Sequence, residues 1–359
     1  MTFFMTHKIL FILKRREDYN PVAHSPMGLS TGLYNSASFV RDMCNEIGIA
    51  TELEVAIDNN CIDRLVNKHR PTHVIIEALW VVPTKFVVLQ KLHPNVKWII
   101  RLHSEMPFLA GEGMAMDWLG EYINFENVDI GVNAPRMLDE VQTFLSVKQG
   151  LSHKEISKRV YYLPNYYPQD YVQKLFCPRK DKIKISCFGA VRPLKNHMVQ
   201  AVAAVKFAES IGRKLEFHIN GGRIEMKGDS VMNNLRAFFQ HLAPRGHKMI
   251  MHKWTPREEF LEICAKMDIG LQVSFSETFN IVGADLISQG VPIVGSKEIP
   301  FASHYFNADP TSSNDIAEKL TSVWNSPDFN VAENQKNLSK YTETTKSIWL
   351  DQFKENQHA

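Results

Sequence analysis

The stretch from residue 268 to residue 294 decides the fold, and it reads DIGLQVSFSETFNIVGADLISQGVPIV. Its apolar run ends at Ser274 and predicts a buried parallel strand. Residues 280–289 then have the composition of a short helix, which Gly290 closes, and residues 291–294 begin another strand. A strand, a helix and a second strand in this order predict a βαβ unit.

Two acidic side chains stand in this unit where they can meet a ligand. Glu277 follows the first strand, and open α/β sheets bind ligands at the carboxyl ends of their strands. Asp285 lies within the helix, so both carboxylates are expected to face one crevice. The amides of Phe279, Asn280 and Ile281 open the helix and would attract a phosphate through unpaired N–H groups and the helix dipole. This combination predicts a sugar-nucleotide site, and the alternative is a structural βαβ unit with two solvated acids.

The same stretch resembles the donor site of the group 1 glycosyl transferases, a large family of retaining enzymes with the two-domain GT-B fold. Their signature is E-x7-E, in which Glu277 takes the first place and Asp285, one methylene shorter, takes the second. The flanking residues in register with the family are Asp268, Ser274, Phe279, Gly290 and Pro292. The resemblance implies that Glu277 contacts the donor sugar and that Asp285 binds the ribose hydroxyls.

Length and composition limit the class of protein. A chain of 359 residues exceeds the usual size of one core and predicts two domains with a cleft. With 44% hydrophobic residues, 22% charged residues and a formal net charge of +2, the chain has no strong field for nucleic acid, so that partner is allowed but not indicated. The apolar run 9–13 is too short to span a membrane, and no integral membrane contact is expected.

The cysteines and histidines argue against disulfides and metals. Five cysteines, an odd number without close pairs, disfavour a disulfide framework or a zinc site and fit a reducing cytoplasm. The histidines are scattered, and no Asp-x-Asp follows an aromatic strand end, so we expect no catalytic metal. The expected co-substrate is a nucleotide-diphosphate sugar, with no separate cofactor.

Short apolar strands alternate with helical segments along the whole chain. This alternation predicts an α/β protein with two Rossmann-like doubly wound domains facing a cleft. The predicted strands are 8–13, 50–55, 73–79, 97–102, 128–132 and 160–163 in the first half and 183–188, 215–219, 249–252, 269–273 and 292–294 in the second. We predict an acceptor-side domain over 1–170, a nucleotide-sugar-binding domain over 171–325, and a helical segment over 326–359 that, by the resemblance, crosses back to the first domain.

Basic side chains follow the first strand of the second domain. Gly189 is followed by Arg192 and Lys195, and the resemblance implies that the two cations hold the donor diphosphate. A departing nucleoside diphosphate gains negative charge, and cations aimed at it lower the barrier. The alternative is a pair of solvated cations on a loop.

The loop after the first strand of the chain carries Gly28 and Gly32. Glycine permits a close backbone approach, so this loop could present N–H groups to a phosphate or a sugar, and an ordinary helix entry is the alternative. Arg15 and Arg16 end the first strand and could meet an anionic acceptor, or form a solvated basic turn.

His103 comes directly after the strand 97–102. By the resemblance, a histidine in this place lies near the donor sugar and the reacting carbon, whereas a lone histidine is otherwise more often structural. Glu105 could orient His103 or touch the acceptor. In the second domain, the loop around Gly222 resembles the one that lines the nucleotide base, and Trp254 follows the next strand at a similar level.

These residues together predict a retaining glycosyltransferase. The first-domain segments 9–39 and 101–119 look like glycosyltransferases encoded by large tailed bacteriophages, several of which modify hydroxymethylated bases in phage DNA. Double-stranded DNA with hydroxymethylated cytosine is therefore the first acceptor expected, which would place the enzyme in the host cytoplasm. A surface polysaccharide or lipid-linked glycan is the alternative acceptor. A sugar-nucleotide epimerase or a non-catalytic sugar-nucleotide-binding protein on the same fold is the alternative of another class.

Overall fold

The computed structural model describes residues 7–14 and 31–354. These residues form two compact units. Unit 1 comprises residues 7–14, 31–168 and 342–354, and unit 2 comprises residues 169–341.

Unit 1 is built around a parallel sheet in which hydrophobic strands alternate with helices. Its strands are β1 (Lys8–Lys14), β2 (Ala50–Ala56), β3 (His73–Glu77), β4 (Lys97–Leu102), β5 (Val128–Val132) and β6 (Val160–Tyr162). Its helices are α1 (Thr31–Glu46), α2 (Cys61–His69), α3 (Lys85–Leu92), α4 (Met106–Leu109), α5 (Ala115–Tyr122), α6 (Pro135–Gln149) and α7 (His153–Ile156). The strand order is β2-β1-β3-β4-β5-β6, so the direction of winding reverses between β1 and β3.

Unit 2 repeats this design. Its strands are β7 (Lys182–Cys187), β8 (Lys214–Ile219), β9 (Lys248–Met251), β10 (Ile269–Gln272) and β11 (Ile293–Gly295). Its helices are α8 (His197–Ser210), α9 (Gly228–Leu242), α10 (Arg257–Ala265), α11 (Ile281–Ser288) and α12 (Ser313–Asn325), followed by α13 (Pro327–Lys354), whose last part belongs to unit 1. The strand order β11-β10-β7-β8-β9 reverses between β7 and β10.

Every named strand pair is parallel, and the predicted α/β class with two doubly wound sheets is confirmed. The buried residues 9–13 of β1 read as a continuous apolar run because helices cover both faces of a parallel sheet. In such sheets ligands bind outside the carboxyl ends of the strands, at the point where the strand order reverses. The loops that follow β7 and β10 are therefore the first place to look for a site in unit 2.

The last helix, α13, contributes to the core of unit 1 through its final turns. Trp349 is fully buried and donates from Nε1 to the carbonyl of Pro164 at 3.0 Å. Thr345 donates to the carbonyl of Asn165 at 3.1 Å. These side chains donate to backbone carbonyls in the segment that follows β6, and so satisfy acceptors that lie outside the described strands.

Candidate functional site

The loop between β10 and α11 is shaped by Asn280. Its φ of 64° places it in the left-handed region, which asparagine tolerates better than most residues. Its side chain caps α11 by accepting from the amide of Gly283 at 2.8 Å and donates to Gln272 Oε1 at 3.0 Å. Ile281 begins the helix, and the neighbouring Phe279 is buried against other aromatic rings.

Glu277 lies in this loop and forms an ion pair with Lys195, which follows β7. Both residues are only 8% exposed. The two loops are also joined through their backbones, because the amide of Phe275 donates to the carbonyl of Leu194 at 2.9 Å. The structure thus brings the predicted acid and the predicted cation together at the point where the strand order reverses.

Gly189 lies beside the side chain of Lys195. Its φ of 118° lies in the region that favours glycine, and a Cβ at this position would lie 3.4 Å from Cε of Lys195. The side chain of Lys195 therefore runs across the backbone that follows β7. We expect a larger residue at position 189 to strain the backbone in this loop.

Arg192 lies beside the loop that follows β8. Its Nη1 is 3.5 Å from Oε2 of Glu225, which also pairs with Arg223. Val191 and Ile224 form an isolated parallel bridge that ties the two loops together. The cluster therefore holds two guanidinium groups around one carboxylate.

Gly222 and Trp254 also meet at this edge of the sheet. A Cβ at Gly222 would lie 3.2 Å from the backbone nitrogen of Trp254, so the loops after β8 and β9 touch. The guanidinium of Arg223 lies 4.9 Å from the centre of the Trp254 ring, within the range of a cation–π interaction. These three residues form one surface at the carboxyl ends of β8 and β9.

Asp285 has a cationic partner of its own. Arg257, the first residue of α10, donates from Nη1 to Oδ1 of Asp285 at 2.6 Å. The side chain of Asp285 is 5% exposed, and that of Arg257 is 22% exposed. The pair joins α10 to α11 and neutralises a carboxylate that would be costly to bury alone.

His103 belongs to a buried ionic cluster in unit 1. Its Nε2 bonds to the carboxylate of Glu77, the last residue of β3, and Arg101 donates to the same carboxylate at 2.9 Å. Glu77 and Arg101 are both fully buried, and we call Glu77, Arg101 and His103 the Arg101 cluster.

Further contacts hold the Arg101 cluster in place. Arg101 donates to the carbonyls of Leu163 and Pro164, each at 3.1 Å, and lies 5.6 Å from the Trp349 ring. Burial alone would raise the pKa of Glu77, but the charges of Arg101 and His103 hold it below its ordinary value. Burial lowers the pKa of His103, against the opposing effect of the Glu77 carboxylate.

The remaining predicted residues have these places. Glu105 forms an ion pair with Arg136. Gly32 lies in the first turn of α1. The predictions for Gly28, Arg15 and Arg16 fall outside the described residues.

The sequence pattern gives no role to Glu77, Asn133 or Arg257. Arg257 carries a signal that could have pointed to it, because a cation in the first turn of a helix opposes the helix dipole and suggests an acidic partner. Glu77 carries one too, since an acid that ends an otherwise apolar strand needs a counter-charge. Asn133 follows β5 and carries no comparable signal.

Within residues 7–14 and 31–354, no group of three or more His, Cys, Asp or Glu side chains is arranged to hold a metal ion. None of the helices among these residues combines the length and the apolar character needed to cross a membrane.

No protein-family profile matches the chain, and no curated protein matches its sequence. Solved structures do match. HepE from Anabaena, in complex with UDP, superposes with a TM-score of 0.59 at 13% identity over 95% of each chain. Sucrose-phosphate synthase from Thermosynechococcus elongatus gives 0.64 at 12% identity, covering 97% of this chain and 99% of its own.

A UDP-forming α,α-trehalose-phosphate synthase from Burkholderia vietnamiensis gives a TM-score of 0.62 at 11% identity, covering 98% of this chain and 97% of its own. At such identities the likeness establishes the fold. Because it extends over nearly the whole chain and both sheets are doubly wound, the protein has the GT-B fold of these glycosyltransferases.

Proposed function

We propose that the protein is a glycosyltransferase that takes its sugar from a nucleotide-diphosphate sugar held by unit 2. The observation that carries this proposal is the Lys195–Glu277 ion pair, which lies where the strand order of unit 2 reverses. Ligands of open α/β sheets bind at that point, and the fold is shared with an enzyme solved with UDP.

The proposed roles follow from charge. Lys195 and Arg192 stabilise the diphosphate as it leaves, because a leaving diphosphate gains negative charge and nearby cations lower the barrier. Glu277 neutralises buried Lys195 while no anion is bound. When the diphosphate takes over that task, the Glu277 carboxylate can accept from hydroxyls of the transferred sugar. Asp285 binds the ribose, and the surface of Gly222 and Trp254 lies against the base.

The proposed reaction retains the anomeric configuration. The bond between the anomeric carbon and the diphosphate oxygen breaks, and a bond to the acceptor oxygen forms on the same face of the sugar. The proton of the acceptor hydroxyl passes to an oxygen of the leaving phosphate. Positioning and charge stabilisation then supply most of the catalysis, and no strong protein base is needed.

The proposed acceptor is the hydroxymethyl group of modified cytosine in double-stranded DNA. It is supported only by the resemblance of segments 9–39 and 101–119 to phage enzymes, and a net charge of +2 lends it no help. A cytoplasmic location goes with this acceptor, and the five cysteines, all free, fit a reducing compartment.

The test is incubation with UDP-, GDP- and ADP-sugars together with duplex DNA that contains cytosine or hydroxymethylcytosine, followed by mass analysis of the digested nucleosides. A hexose or pentose mass on the modified base alone would establish transfer to DNA and name the donor. If nucleotide is released only when a glycan acceptor is present, the protein is a glycosyltransferase but its acceptor is a glycan. Conversion of the sugar nucleotide to an epimer without any acceptor would overturn the proposal.

A further inference from the structure

Phe275 is an exposed aromatic residue in the loop that joins β10 to α11. It is 40% exposed, whereas its neighbours in the chain, Ser274, Ser276 and Glu277, are buried. The backbone is held in place here, because the amide of Phe275 donates to the carbonyl of Leu194 at 2.9 Å. The ring is therefore accessible, on a loop whose backbone is anchored to the loop after β7.

The other exposed aromatic residues in the described part of the chain pack against each other. They are Tyr305 and Phe329, whose rings lie 5.9 Å apart. The ring of Phe329 also lies 6.0 Å from that of Phe306. The ring of Phe275 makes no such aromatic contact among residues 7–14 and 31–354. Its apolar face is therefore open to a ligand.

The order of the strands favours a place for Phe275 beside the sugar of the proposed donor. The sheet runs β11-β10-β7-β8-β9, so the loop after β7 lies between the loop after β10 and the loops after β8 and β9. The proposed base surface follows β8 and β9, and the cations proposed for the diphosphate, Arg192 and Lys195, follow β7. A sugar nucleotide carries its base, its diphosphate and its sugar in the same order. The sugar would then lie over the loop after β10, which carries Phe275 and Glu277.

An aromatic ring near a carboxylate matches the two kinds of surface that a sugar ring presents. The hydroxyl groups at the edge of the sugar can donate to Glu277, whereas the C–H groups on its face are apolar. Ligand pockets commonly combine apolar and aromatic side chains with a few polar groups that fix the orientation of the ligand. The ring of Phe275 offers an apolar surface to a sugar and no charge to a phosphate.

We infer that the ring of Phe275 packs against an apolar face of the transferred sugar. The inference rests on the proposed function, in which Glu277 accepts from hydroxyls of the same sugar. The residues that carry it all belong to unit 2. The contact adds affinity for the sugar nucleotide and none for the free nucleoside diphosphate, because only the sugar nucleotide carries the sugar.

The test compares Phe275→Ala with Phe329→Ala by calorimetric titration of UDP and UDP-glucose, and of GDP and GDP-mannose if the uridine pair does not bind. Phe329 is a matched control, because it is an exposed phenylalanine of unit 2, in the first turn of α13. We expect Phe275→Ala to weaken the sugar nucleotide about tenfold and to leave the nucleoside diphosphate unchanged. Phe275→Tyr keeps the ring and should stay within about twofold of the wild type. Phe329→Ala should change neither affinity.

Several results would overturn the inference. An equal loss of affinity for the sugar nucleotide and the nucleoside diphosphate in Phe275→Ala would mean that the ring contacts the nucleotide or only supports the loop. Unchanged binding of both would mean that the ring contacts neither, and a change confined to acceptor KM would assign it to the acceptor. Thermal unfolding checks that the variants fold, because substitutions of exposed side chains cost little stability. Failure of the wild-type protein to bind any of the four nucleotides would instead refute the proposed function.

Discussion

Each unit has a charged cluster at the carboxyl ends of its strands, but different groups hold the two clusters in place. In unit 1, Arg101 is fully buried and is held by Glu77 and two backbone carbonyls. In unit 2, Lys195 lies beyond the carboxyl end of β7 and is held by the carboxylate of Glu277. Backbone carbonyls cannot leave their place, whereas an incoming anion can replace a carboxylate. The first arrangement is therefore fixed, whereas in the second the carboxylate could be replaced by an anionic ligand.

The largest expected effect comes from a substitution that breaks the Arg101 cluster. Glu77→Ala leaves the buried guanidinium of Arg101 without its counter-charge and should cost about 3–5 kcal/mol of unfolding free energy, measured by urea denaturation. The control is Asp117→Ala, which breaks an exposed pair with Lys148 and should stay within about 0.5 kcal/mol. An equal loss of unfolding free energy in Glu77→Ala and Asp117→Ala would show that the buried cluster contributes no more to stability than an exposed ion pair.

The next largest effect concerns the Lys195–Glu277 ion pair. Glu277→Ala should lower the rate of sugar transfer about a hundredfold or more, because a preorganised charge at the reacting group is lost. It should cost less stability than Glu77→Ala, since the flexible stem of Lys195 lets its ammonium turn toward water. The rate is followed as nucleotide released in the presence of acceptor, with the exposed Glu258→Ala as the control. Full activity in Glu277→Ala would contradict the assignment of Glu277 to the donor site.

A smaller effect would sharpen the picture of unit 2. Arg257→Gln removes the guanidinium that orients Asp285 and should weaken UDP binding about tenfold, since hydrogen bonds to charged groups are among the stronger ones. Arg245→Gln, which breaks a pair with Glu209 on the surface, is the matched control. An unchanged dissociation constant for UDP would mean that the Arg257–Asp285 pair only joins α10 to α11.

A separate effect is a dependence on pH that both units should share. Burial lowers the pKa of His73 in unit 1 and of His218 in unit 2, each to about 4, with help from His7 and His252 respectively. An unfolded histidine has a pKa of about 6.5, so the unfolded state binds more protons between these values. The contribution to the unfolding free energy is complete above about pH 6.5 and is lost as the pH falls toward 4. The loss is about 1 kcal/mol for each pH unit and each histidine.

This pH dependence can be assigned to each unit separately. His73→Asn and His218→Asn should each flatten the dependence of urea unfolding on pH between 6.5 and 4. A slope that neither substitution reduces would show that these rings are protonated in the folded protein.

The elements of the fold could be predicted because their signals are local. The apolar run before Ser274 gave the strand β10, and Gly290, with a φ of 65°, closes the turn after α11 as expected. The predicted helix over 280–289 is found as Ile281–Ser288, with Asn280 as its cap. Each of these features depends on a few consecutive residues.

The pairings within the candidate site could not be predicted from the sequence because they are long-range. Glu277 and Asp285 stand in one short motif, but nothing in the sequence says that Lys195 pairs with the first acid and Arg257 with the second. Glu77 and Asn133 each end or follow a separate strand, and only the order of the strands in the sheet brings both beside His103.

The final turns of α13 have a consequence for the order of events during synthesis. Trp349, Thr345 and Thr342 bond to backbone carbonyls between Pro164 and Tyr167, so unit 1 lacks part of its core until the chain has been made beyond Trp349. Unit 2 is complete at Tyr341. Domains fold as units as they leave the ribosome, and here the unit that begins first would be the last to finish.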